Sequence, residues 1–206
     1  MKKLVIAVLA VLFVAPAVMA KDWGIGVKLG AGQNDPKGIK DAYDRSIYNK
    51  ELDKNPAFFG LEVLHEWALN DEANKIGAKV GWDMYGENKA KEWLGAYNEE
   101  IKETTYSFPF TVYYKRDNGL KKLSWFGGAG FTIIHTKLEA TGWNKDDLSK
   151  TKVFPHIVAG GEYRFTNVFA LGLEARYNFA AKMKKNGIVM SDRSGFGAAL
   201  TGRFYF

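Results

Sequence analysis

Ten ionisable side chains stand at alternate positions within apolar segments: Lys28, Glu62, Glu66, Lys79, Asp83, Glu162, Arg164, Glu174, Arg176 and Arg203. Five are cations and five are anions. Their natural chemistry is mutual neutralisation in an enclosed space, since unpaired charge is costly away from water. Residues suited to proton transfer or metal ligation are fewer: His65, His135 and His156. His135 has Thr136 and Glu139 nearby in sequence, and His135 with His156 would make a metal pair lacking the usual third donor. No serine stands at a spacing that supplies a nucleophile to either histidine. The chain has no cysteine, which excludes thiolate metal sites and a disulfide framework. No catalytic residue, metal ligand or cofactor is expected.

The elements that carry these charges are strands. In Trp23 to Gln33, Trp23, Ile25, Val27, Leu29 and Ala31 share one face, and Gly24, Gly26, Lys28, Gly30 and Gly32 share the other. A period of two is a strand signature. The same alternation marks segments 23–33, 57–67, 75–85, 104–115, 123–135, 154–165, 168–179 and 195–206, each about the length that a tilted strand needs to cross a bilayer. Connections 34–56, 86–103, 136–153 and 180–194 are long, whereas 68–74, 116–122 and 166–167 are short. Asn70-Asp71 and Asp117-Asn118-Gly119 suit tight reversals. Within the long connections, 39–52 and 89–101 have the composition of short helices.

The chain opens with Lys2 and Lys3, an apolar run from Leu4 to Val14, and Val18-Met19-Ala20 before Lys21. This is the pattern of a cleaved secretory signal over residues 1–20, leaving 21–206 as one domain. Without Lys2 and Lys3, 27 cations face 23 acids, a net charge of +4. That is too small and dispersed to favour nucleic acid. No later run of about 18 apolar residues exists, so any spanning is done by strands.

The charged parity belongs inside a closed wall and the apolar parity against acyl chains. The predicted fold is all-β: an eight-stranded antiparallel up-and-down transmembrane β-barrel with short periplasmic turns and long extracellular loops. Only His65 interrupts the apolar face. Simple antiparallel counting places Glu62 opposite Lys79 and Glu66 near Lys75. Trp23, Trp67, Tyr114, Trp125, Tyr163 and Phe165 would form one interfacial girdle, with Trp82, Tyr85, Tyr106, Tyr177 and Phe179 forming the other. The competing fold, a soluble lipocalin-like barrel, would turn the apolar face inward.

On this pattern and on the ending Gly202-Arg203-Phe204-Tyr205-Phe206, the chain resembles the eight-stranded outer-membrane barrels, the OmpA-like and opacity-protein-like surface barrels, across nearly its whole mature length. The resemblance implies an outer-membrane location. It also implies that Leu200, Phe204 and Phe206 are read by the barrel-assembly machinery. A peptidoglycan-binding domain, present in two-domain members, is not expected after Phe206.

The expected function is that of a structural or surface-interaction protein with a plugged, charge-paired lumen, acting through its extracellular loops. Its partners would be outer-membrane lipid and lipopolysaccharide, the latter through Lys182, Lys184, Lys185 and Arg193 beside Asp192. An extracellular ligand could meet the loop aromatics Tyr43, Tyr48, Trp93, Tyr97 and Trp143. The alternative is a narrow transporter for small apolar molecules with a lateral exit, favoured by Pro109 and Pro155 inside predicted strands. A lipid-modifying enzyme using the rim histidines is the third reading.

Overall fold

Residues 22–33, 55–69, 73–94, 97–118, 122–141, 148–185 and 188–206 are described by a computed structural model of the chain. Among them every regular element is a strand: β1 (Trp23–Gly32), β2 (Ala57–Ala68), β3 (Asn74–Tyr85), β4 (Asn88–Leu94), β5 (Tyr97–Asn118), β6 (Leu123–Thr141), β7 (Leu148–Arg164), β8 (Phe169–Asn178), β9 (Lys182–Lys185), β10 (Ile188–Asp192) and β11 (Gly195–Tyr205). Neighbours follow the order β3, β2, β1, β11, β8, β7, β6, β5, and β3 pairs with β5 to close the circle. The result is an eight-stranded antiparallel barrel.

Closure joins the first and last strands from Gly24↔Tyr205 to Gly32↔Gly197. Trp23 N–H donates to the Phe206 carbonyl at 3.3 Å, and Phe206 N–H returns a bond to Trp23 at 3.0 Å. No wall edge is left open there, which is how a barrel satisfies its backbone where water is absent.

The wall strands differ in length for a physical reason. β1, β2, β3, β8 and β11 have 10 to 12 residues, matched to one crossing. β5 has 22, β6 has 19 and β7 has 17, so these rise well beyond the membrane on the side of the long connections. The described residues of the stretch 89–101 are therefore strand and not helix. After Met84↔Tyr106, the short link Gly86-Glu87 shifts the register by one, and β4 resumes the pairing at Asn88↔Glu103. β4 thus continues β3 upward as a hairpin with β5. The stretch 180–194 also folds as a hairpin, β9–β10, instead of a loop. The stretch 39–52, the turn residues Asn70, Asp71 and Gly119, and the segment 1–20 lie outside the described residues.

The register of β2 on β3 differs from simple counting by two residues: Glu62 faces Gly81, Leu64 faces Lys79 and Glu66 faces Gly77. The cause is the turn, in which Leu69 N–H donates to the Asn74 carbonyl at 2.8 Å and sets the first pair at Ala68↔Lys75.

Burial alternates along the wall strands: Gly24, Gly26 and Lys28 are buried in β1 between more exposed neighbours, as are Ala170, Gly172, Glu174, Arg176 and Asn178 in β8. Outward-facing Leu29, Leu173 and Phe196 are 62%, 64% and 69% exposed. A continuous apolar surface of this kind suits acyl chains and would be a liability in water. The inverted, lipocalin-like arrangement is thereby excluded. Trp67, Trp125, Tyr163 and Phe165 face outward near the short-turn end, and Phe179 does so near the other. Tyr85, expected in the second girdle, instead points inward against Phe58 and Ala199 and is buried. His65 faces outward and lies between Trp23, 4.7 Å away, and Trp67, 4.4 Å away.

Candidate functional site

The lumen is filled in layers. Its deepest layer is centred on Arg203 of β11, whose guanidinium reaches three strands: Nε donates to Glu62 at 2.6 Å, Nη1 to Glu162 at 3.0 Å and Nη2 to Glu174 at 3.2 Å. A planar fork with five donors can hold several carboxylates where an ammonium cannot. Lys79 donates to Glu174 and lies 4.0 Å from Glu62. Lys115 joins Glu66, at 3.0 Å, to Glu162. Tyr113 donates to Glu66 at 3.0 Å and Tyr205 to Glu162 at 2.8 Å, so further carboxylate lone pairs are occupied. A second group stands beside it: Asp83 accepts from Arg176 at 2.8 Å and from Ser107 at 3.2 Å, and pairs with Lys28 at 2.6 Å.

All ten residues singled out by parity face the lumen, nine of them buried; Arg164, with a side chain 26% exposed, lies at the short-turn rim, 3.8 Å from Glu162. The register correction changes how they meet. Lys79 reaches Glu62 diagonally, and Lys75 reaches Glu66 at 3.7 Å in the same way. The ten omit Lys115, and Lys75 entered only as a neighbour of Glu66, although both lie on the charged parity of their segments. With Glu103 and Arg193 from above, the buried charges among the described residues are Lys28, Lys79, Lys115, Arg176, Arg193 and Arg203 against Glu62, Glu66, Asp83, Glu103, Glu162 and Glu174, which balance.

Above the ion pairs is a neutral layer. His156, omitted from the charged parity, sits here: its Nε2 is 2.9 Å from Thr111 Oγ1 and its Nδ1 2.8 Å from Thr132 Oγ1. Thr105 and Thr136 share a hydroxyl bond of 3.0 Å. His135, by contrast, faces outward, with Nδ1 2.8 Å from Thr151 Oγ1. The two histidines point to opposite sides of the wall and cannot share a metal ion or a substrate. Among the described residues no group of three His, Cys, Asp or Glu side chains is placed to hold a metal.

The mouth is covered by β9–β10. Ala181 and Met183 are buried against Ile134 and Phe154, both lumen-facing. Arg193 is buried too, donating to Glu103 at 2.9 Å with its guanidinium 4.3 Å above the Tyr85 ring. Arg193 therefore points inward and is not available to lipopolysaccharide. The same hairpin turns Lys182 and Lys184 outward, Lys182 lying 3.8 Å from Asp192. The backbone of Lys185 pairs with Ile188. Only the backbone of Trp93 and Tyr97 is described, and Tyr43, Tyr48 and Trp143 fall outside the described residues.

Pro109 breaks the β3–β5 ladder: pairing skips Gly81 and Trp82 between Val80↔Phe110 and Asp83↔Ser107. A Cβ on Gly81 would meet Lys28 Nζ at 3.1 Å and Pro109 Cγ at 3.2 Å, so the inner side of this seam is occupied. Pro155 lies just above the first β7–β8 pair, His156↔Asn178, and its carbonyl accepts from Phe179 N–H at 3.0 Å. A cavity of about 10 Å³, room for about one water, is lined by Lys28, Gln33, Tyr85, Arg176 and Asn178 among others, and touches neither proline.

Leu200 and Phe204 face outward on the last strand, 55% and 48% exposed, and Phe206 is held by its backbone bond to Trp23.

Comparison with known proteins places this architecture. A family model described as outer membrane protein beta-barrel domain matches residues 4–204. Compared by sequence with curated proteins, the chain has no match. By structure it is similar to Ail, the attachment invasion locus protein of Yersinia pestis, with a TM-score of 0.50 and 14% identity over 91% of this chain and 99% of that one. Neisserial surface protein A gives 0.52 and 13%, over 89% and 97%. OprG of Pseudomonas aeruginosa gives 0.51 and 10%, over 91% and 96%.

Proposed function

Since the chain belongs to the outer membrane protein beta-barrel domain family and resides in the outer membrane, we propose that it is a sealed surface barrel. Its lumen is a structural plug, and its dealings with the surroundings are made by the extracellular strands and loops. One observation carries the reading: Arg203 binds Glu62, Glu162 and Glu174 at once, tying β11 to β2, β7 and β8 through the middle of the lumen. Eight strands enclose a space that side chains can just fill. A diffusing solute would have to displace several charge-assisted bonds together.

Planar-bilayer recording of the purified protein tests this. The expected result is no stable, large conductance, and such a conductance would overturn the plug. Outward-facing Lys182 and Lys184 support a contact with lipopolysaccharide phosphates near the outer leaflet, with Lys185 beside them in sequence. Lys182→Gln with Lys184→Gln should weaken retention of lipopolysaccharide by the detergent-purified protein; unchanged retention would remove that partner. During export, the outward alternation of Leu200 and Phe204 before Phe206 fits a role as the segment engaged by the assembly machinery.

The lateral-exit reading has one observation in its favour, the broken ladder at Pro109. Its inner side is lined by a buried lysine, which suits an apolar passenger poorly.

A further inference from the structure

We propose that the β9–β10 hairpin is a hinged lid over the extracellular mouth of the lumen, shut by one polar latch and one apolar catch. Four observations carry it. Among the described residues β9 and β10 form ladder pairs only with each other, in a two-stranded sheet separate from the wall, to which Lys150 and Asn178 reach through the carbonyls of Lys184 and Arg193. Both ends of the hairpin carry left-handed backbone, Ala180 at φ 48° and Gly195 at φ 122°. These are the points where the chain leaves β8 and enters β11, so the bend over the mouth is concentrated in two residues. Alanine in this region is strained and is held there by what the bend brings together.

The latch is Arg193 to Glu103, supported by Ser191 Oγ donating to the same carboxylate oxygen at 3.2 Å. It is incompletely satisfied: Arg193 Nε and Nη1 are buried without a hydrogen-bond partner among the described residues. The catch is Met183 with Ala181 against Ile134 and Phe154. Beneath lies the neutral layer of Thr105, Thr136, Thr132 and His156, below which the ion pairs close the barrel. An open lid therefore exposes a blind, hydroxyl-lined recess and not a channel. The wall can keep every ladder bond while the hairpin swings, which separates lid opening from unfolding.

The chain contains no cysteine, so one introduced thiol reports alone. Met183→Cys and Lys184→Cys, in the full protein in nanodiscs, are compared for reaction with a charged maleimide. Met183→Cys should react at least about tenfold more slowly than Lys184→Cys, as a thiol behind a closed local equilibrium does. Glu103→Gln in the Met183→Cys background should raise the rate by about tenfold or more, because a charge-assisted bond is removed from the shut state only. Gly195→Ala should also raise it, since a Cβ there would overlap the Gln33 side chain at a φ that alanine resists. Ala181→Cys, buried in the catch and outside the latch, is a second reporter should Met183→Cys fail to fold. Equal rates for Met183→Cys and Lys184→Cys would overturn the proposal, as would a Met183→Cys rate moved by neither Glu103→Gln nor Gly195→Ala. Planar-bilayer conductance should stay absent in both lid variants, and that readout belongs to the plug alone.

Discussion

The plug and the mouth of the same barrel are stabilised in different ways. In the plug, most charges have several partners drawn from strands far apart in sequence: Arg203 meets Glu62 across 141 residues, and Lys115 meets Glu66 across 49. At the mouth, one carboxylate, Glu103, collects Thr105, Ser191 and Arg193; beside it stand the Arg193 guanidinium over the Tyr85 ring, single bonds to the carbonyls of Lys184 and Arg193, hydroxyl bonds and a few apolar side chains. Removing a member of the plug strands a buried charge within a closed wall. Removing a member of the mouth frees a hairpin that the wall does not need. The difference teaches that rigidity here follows the number of strands a side chain joins, and that cost should fall steadily from Arg203 outward.

The steepest test is Arg203→Met. It leaves Glu62 and Glu162 short of their Arg203 bonds and Glu174 with Lys79 alone, and breaking a buried ionic network costs about 3–5 kcal/mol. Urea unfolding in lipid vesicles, followed by tryptophan fluorescence, should show a loss of that order. A change under about 1 kcal/mol would mean that the plug is ornamental to stability. Next is His156→Leu, which deprives Thr111 and Thr132 of their ring partners and should cost about 1–3 kcal/mol. Glu103→Gln comes third. It should leave the global midpoint nearly unmoved while releasing β9–β10, a split read by comparing urea midpoints with thiol reactivity on the hairpin. A global loss as large as that of Arg203→Met would erase the distinction between the two regions.

Much of the wall was legible in the residues because lipid imposes the alternation. Leu29 beside Lys28, or Leu173 beside Glu174, can occur only if successive side chains enter different solvents. The lumen list followed from the same alternation, and its omissions are instructive. Lys75 and Lys115 stand on the inward parity but close to strand ends, where a long side chain can also reach water, so parity alone does not mark them as buried. Glu103 and Arg193 were invisible to it, because above the membrane the outer face is polar as well and the period loses its contrast. The register that sets Glu62 opposite Gly81, with Lys79 on the diagonal, required the turn geometry at Leu69 and Asn74, which no periodicity contains. The inward bend of β9–β10 rests partly on Ala180, whose identity gives no hint of a positive φ; Gly195 alone carried a local signal.

The smallest effect belongs to the rim, where β4 continues β3. Glu87 accepts from Lys102, at 2.5 Å, and from Lys89, at 2.9 Å, and these bonds hold its carboxyl below the ordinary glutamate value of 4.5. A lowered folded-state value means that the pairing supports the hairpin fully above pH 4.5 and is lost as pH falls through the folded value. The carboxylate drives the change. Amide exchange across β4–β5, corrected for its intrinsic pH dependence, should keep constant protection above about pH 5 and lose a little below 4.5. Glu87→Gln should remove the acid step, and added salt should weaken protection even at neutral pH because the pair is open to solvent. Protection that ignores both acid and salt would show the hairpin to be held by its backbone ladder alone, making this rim as indifferent to single charges as the plug is dependent on them.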